Sequence, residues 1–191
     1  MSVKAKITVK ALISLGVIAL AVALPQIVHA AFGAAGGAKF MPMYLPVLLG
    51  GCLLGSVWGA GVGILSPLIS FGITSVCGNA MPTAVRLPYM VLELAVYGGV
   101  SGLFAEKIAK NVIAAFPAVL IASVAGRLTF LGVAAIFSGI SPVTFASAWA
   151  QVQTGLAALV VQALAVPAAV MLIVYACRKK TDQNTDVDTR R

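Results

Sequence analysis

The chain has 191 residues, of which 61% are hydrophobic and only 9% charged, with a formal net charge of +8. A soluble domain carries roughly 25% charged residues, so this composition excludes a water-facing globular surface and points to an integral membrane protein. The basic residues sit at segment boundaries rather than along one face, which excludes a nucleic-acid stripe, and three scattered cysteines exclude a disulfide framework or a metal-ligand spacing.

The punctuation predicts an all-α bundle of six transmembrane helices over residues 1–177, followed by a disordered cytoplasmic tail over 178–191. The first helix covers about 10–32, behind Lys4, Lys6 and Lys10, and carries a small-xxx-small pair, Ala19 and Ala23. Val28-His29-Ala30 after that apolar run also resembles a signal-peptide cleavage site, and cleavage would leave five helices. A Gly/Ala-rich break over 33–40 ends at Met41-Pro42, and helices follow over about 43–58 and 59–76 with a tight turn between them. Glycines 51, 55, 59 and 63 fall every fourth position, a smooth stripe along which another backbone can approach closely. Ser66-Pro67 and Ser70 read as a kink whose hydroxyls serve the freed carbonyls.

The loop 77–82 precedes a fourth helix over about 87–105, and a charged link over 106–111 leads to a fifth over 112–137. A loop over 138–151 holds Pro142 and an interfacial Trp149, and the sixth helix spans 152–176. Pro117 and Pro167 are expected to kink the fifth and sixth helices. With six helices, Lys4, Lys6, Lys10, Lys107, Lys110, Arg178, Lys179, Lys180, Arg190 and Arg191 share one side, and only Lys39 and Arg86 lie on the other. That asymmetry predicts cytoplasmic termini. Five helices after cleavage fit the same charge map.

Polar groups within apolar segments carry the functional signal, because ionisable residues are costly in lipid. Glu93 lies six residues into the fourth helix, about 9 Å deep at 1.5 Å per residue. Arg127 lies fifteen residues into the fifth, about 22 Å along, which leaves it about 8 Å from the outer face of a core about 30 Å thick. The two are therefore expected to pair. Either the pair only fixes helix packing, or it lines an outward cavity with Tyr97, one turn from Glu93, and with Gln162. His29, the one histidine, has no partner that would make a metal site. It is either an interfacial hydrogen-bonding residue or part of the outward cavity.

No phosphate-binding G-x-x-x-x-G-K-[ST] loop, no H-E-x-x-H and no acidic cluster is present. The reading is therefore no enzyme, no cofactor and no metal. With no ATP-binding domain, uptake would draw its energy from a partner or an ion gradient.

The ordered series Leu24-Pro25-Gln26-Ile27-Val28-His29, Lys39-Phe40-Met41-Pro42-Met43-Tyr44-Leu45-Pro46, Gly63-Ile64-Leu65-Ser66-Pro67, Met81-Pro82, Glu93-Leu94-Ala95-Val96-Tyr97-Gly98 and Gly126-Arg127 resembles the substrate-binding S-components of energy-coupling factor transporters. The resemblance runs across all six helices and is strongest to the branch that takes up cobalamin-type compounds and other vitamins. It implies a prokaryotic cell-membrane protein that holds a vitamin or precursor near the outer surface, under a lid formed here by Gly33 to Met41. It implies docking through Ala19 and Ala23, with Leu15 and Gly16 nearby, onto a membrane coupling subunit driven by two cytoplasmic ATPases. The substrate contacts it implies are Glu93, Tyr97 and Arg127, with Tyr44 and His29 at the lid. On this reading, replacing Arg127 with Ala costs ligand affinity more than folding. Tyr44 stands where that branch has the histidine of a Met-His-Ile-Pro pattern, which leaves the ligand's identity open. Two other classes remain: a membrane scaffold that binds no small molecule, and a self-sufficient secondary transporter, for which no internal repeat is visible.

Overall fold

A computed structural model describes residues 3–78, 81–138 and 143–188. Every regular element among them is helical: α1 (Val3–Phe40), α2 (Tyr44–Leu54), α3 (Ser56–Val76), α4 (Leu87–Gly102), α5 (Ala105–Lys110), a 3-10 turn (Val112–Ala114), α6 (Ala115–Phe137), α7 (Phe145–Thr154) and α8 (Leu156–Asp188). Four stretches are long and apolar enough to cross a membrane: Ile7–Gly33, Ser56–Val76, Val112–Phe137 and Leu156–Cys177. The other two expected spans are shorter. α2 has 11 residues and α4 has 16, about 17 and 24 Å at 1.5 Å per residue, against a hydrocarbon core of about 30 Å.

The short helices are the inner ones. α4 packs against α2, α3 and α6, and nearly every residue of α2 is buried. The long helices turn large apolar side chains outward instead. Leu120, Val124 and Leu128 on α6 and Val160, Leu164 and Leu172 on α8 are each more than half exposed, while Glu93, Arg127 and Gln162 are buried. A surface of Leu and Val around an interior that holds the ionisable groups is the arrangement for lipid, not water.

The glycine signal becomes a seam between helices. The chain turns at Gly55 (φ 97°, ψ 174°), a conformation that side chains disfavour. The break between α2 and α3 therefore falls there, three residues before the turn expected between Trp58 and Gly59. Gly51 lies on α2 and Gly59 and Gly63 on α3, so the stripe spans two helices. All three face α4: Gly51 meets Ser101 and Gly98, Gly59 meets the Gly98 carbonyl, and Gly63 meets the Leu94 carbonyl. Ser66 Oγ donates to Val62 O at 2.7 Å, and not to Gly63, the carbonyl that Pro67 frees by lacking an N–H.

Several expectations are corrected. The loop expected over Gly33–Met41 is helical on both sides of one break at Gly33 (φ 67°, ψ −171°) and closes at Met41 (φ 44°), because alanines sustain a helix that two glycines alone would weaken. The charged link contains α5. Pro117 is the third residue of α6, in the first turn, where its missing N–H has no partner to lose and no kink follows. Part of the loop expected over 138–151 is α7, started by Thr144, whose hydroxyl accepts from Ser147 N at 3.2 Å; Pro142 lies outside the described residues. α8 runs on as helix to Asp188, where a disordered tail is expected from 178, since an established helix adds residues at little cost. Arg190 and Arg191 lie outside the described residues.

Candidate functional site

α4 and α6 each bury one stripe. On α4 it is Tyr89, Glu93, Tyr97 and Ser101; on α6 it includes Val119, Ser123, Arg127 and Phe130. This three-to-four spacing aims Glu93 and Arg127 at each other. Arg127 Nη1 donates to Glu93 Oε1 at 2.8 Å, and the two side chains are 6% and 0% exposed. A buried pair without further partners gains little over its desolvation cost. Here the second carboxylate oxygen is also used: Tyr44 Oη, at the start of α2, donates to Glu93 Oε2 at 2.6 Å.

Tyr44 does two further things. The Arg127 guanidinium lies 5.2 Å from its ring centroid, a cation–π distance. Its ring also meets Tyr97 edge-on, with centroids 5.0 Å apart at 77°. Tyr97 in turn packs against Gly126, where any side chain would strike its ring. Three helices are thus tied into one buried cluster of Tyr44, Glu93, Tyr97 and Arg127.

Met41 closes the cluster, its Sδ accepting from Arg127 Nη2. Gly155, between α7 and α8, lies against both: a Cβ there would stand 3.0 Å from Met41 Sδ and 3.1 Å from Arg127 Nη2. Sequence reasoning passed over both residues as site members, because Met and Gly are ordinary in an apolar chain. The only available signal was the position of Met41 at the end of the Gly/Ala-rich segment.

Hydrogen-bonding capacity remains inside. Arg127 Nε and both amide atoms of Gln162 are buried with no hydrogen-bond partner among the described residues. The buried Tyr97 hydroxyl has the Ser123 hydroxyl beside it as its hydrogen-bonding neighbour. Gln162 is on α8 seven residues beyond Gly155, about 10 Å along the helix, and it is not hydrogen-bonded to the ion pair. His29, half-buried on α1, is not brought into the cluster's hydrogen bonds. Ala19 and Ala23 are exposed on the outward face of α1, as are Leu15 and Gly16.

Lys10 Nζ donates to Leu54 O at 3.0 Å at one end of the bundle, and the cluster lies well along the helices from that end. Glu93 is nine residues from the end of α4, Tyr44 ten from the end of α2 and Arg127 twelve from the start of α6, about 14, 15 and 18 Å. No group of three or more His, Cys, Asp or Glu able to hold a metal occurs among the described residues. Compared with protein-family models, curated proteins and solved structures, the chain matches none.

Proposed function

We propose that the chain is the substrate-binding component of an importer of the energy-coupling factor kind, binding a vitamin-like small molecule at the Glu93–Arg127 cluster. One observation carries this reading: a charge-balanced cluster, buried between helices, that keeps an unused donor on Arg127, with the unpartnered amide of Gln162 buried on α8. A pair serving only to fix packing has no need of orphaned polar groups, each of which costs about 1–3 kcal/mol. Met41, the last residue of the Gly33–Met41 segment, lies on Arg127 at the cluster's edge. α2 and α4 complete six crossings within the protein interior, with both termini on the Lys10 side in the cytoplasm. The outward small-residue face of α1 at Gly16, Ala19 and Ala23 is the docking face for a membrane coupling subunit that two ATPases drive.

The test is uptake of radiolabelled vitamins by cells expressing the chain with and without a coupling module. Uptake that requires the module and is lost in Ala19→Glu supports the reading. Uptake without any ATPase makes the chain a secondary transporter. A second reading, a membrane scaffold, is favoured by the complete burial of Glu93; it predicts no uptake and no bound small molecule.

A further inference from the structure

Arg127 has five N–H donors in a rigid plane, and Glu93 occupies only Nη1. Nε and Nη2 lie together on the other edge, spaced to meet two acceptor atoms of one planar group. On that edge Nη2 faces the Met41 thioether, a weak acceptor, and Nε meets no acceptor among the described residues. The strongest recognition edge in the cluster is thus held by its weakest partner.

Met41 holds this place under constraint. It is the non-glycine residue with positive φ, 44°, among the described residues, a conformation that is uncommon without a glycine. It is also 6% exposed, with its methyl at the spot a Gly155 side chain would fill. Gly155 therefore leaves room beside the arginine edge for an occupant the size of a thioether.

Charge decides what else fits. Glu93 already balances Arg127, and the Tyr44 hydroxyl satisfies the second carboxylate oxygen. A carboxylate on the free edge would leave one net negative charge buried and unpaired, which is strongly unfavourable. A neutral planar acceptor adds none. We infer that the Nε–Nη2 edge of Arg127 is a binding site for an uncharged carbonyl-type group, an amide, lactam or ring carbonyl, and that Met41 is a built-in stand-in which the ligand displaces. This rests on the small-molecule reading of the cluster and narrows it to ligands presenting a neutral acceptor rather than an acid.

The test uses the full chain in detergent, with Met41→Ala clearing the edge and acetamide or sodium acetate as probes at matched ionic strength. Acetamide is expected to raise the melting midpoint of Met41→Ala by about 2–4 °C, with no rise in the unsubstituted protein and none from acetate. Equal or better rescue by acetate, or no rescue by acetamide, overturns the proposal. Should Met41→Ala fail to fold, Met41→Gln is expected to melt no lower than the unsubstituted protein and Met41→Glu lower; the reverse order overturns it. Loss of the transport reading shows separately, as absent uptake alongside intact acetamide rescue.

Discussion

Tyr44 is the residue on which the cluster turns, since it satisfies Glu93 and stacks on Arg127 together. Tyr44→Phe keeps the ring and removes one buried hydrogen bond to a charged acceptor, a loss of about 1.5–3 kcal/mol. The expected result is a lower melting temperature in detergent. The geometry also changes the expectation for Arg127→Ala. It leaves Glu93 buried without its counter-charge, so the loss falls on folding as well as on binding, about 3–5 kcal/mol. The double variant Glu93→Leu with Arg127→Met removes both charges and is expected to regain most of that stability while binding no ligand; thermal melts of the three proteins check this. Glu93, Arg127 and Tyr97 were legible in the sequence because charged and phenolic groups stand out in an apolar run, whereas Tyr44 entered only through the family resemblance. Met41 and Gly155 were not, since their importance comes only from the contact between them. Gln162 and His29 were also legible as polar outliers, yet neither hydrogen-bonds to the pair. Residue type announces a polar group but not the rotation that aims it.

Among the elements, the α3–α4 seam has the least tolerance. A Cβ at Gly63 would overlap the Leu94 carbonyl, whereas Gly61, two residues away, has nothing within 4 Å. Gly63→Ala is therefore expected to destabilise by about 1–3 kcal/mol or more through overpacking. Gly61→Ala is expected to be neutral or to stabilise by up to about 1 kcal/mol, because alanine is the better helix former. Denaturation of the pair in parallel checks both signs, and equal loss at the two positions would contradict the seam. The spacing of these glycines predicted close backbone approach, but not that Gly55 itself would be the turn. A four-residue period is the same whether the helix continues or breaks. Boundaries failed where helix forms or propagates through polar composition, in α7, in α5 and in the extension of α8.

The molecule as a whole is an inside-out bundle, with leucines outward and an ion pair within. Apolar length alone revealed the four long helices. The short α2 and α4 were legible as apolar segments, but not as the interior of the bundle, which only their neighbours define. The proposed orientation has a direct check in the cysteines: Cys77 follows α3 and Cys177 lies in α8, both exposed, while Cys52 is buried. In intact cells a membrane-impermeant maleimide is expected to label Cys77 and to reach Cys177 only after permeabilisation; the opposite order would reverse the topology. The buried cluster is proposed to hold a small molecule. The most direct measurement is mass spectrometry of what the detergent-purified protein releases on denaturation, compared with the Glu93→Leu/Arg127→Met variant. An uncharged, carbonyl-bearing compound at about one per chain, missing from the variant, is the predicted result. A folded protein that releases nothing, or releases the same compound from the variant, would mean that the cluster holds no ligand.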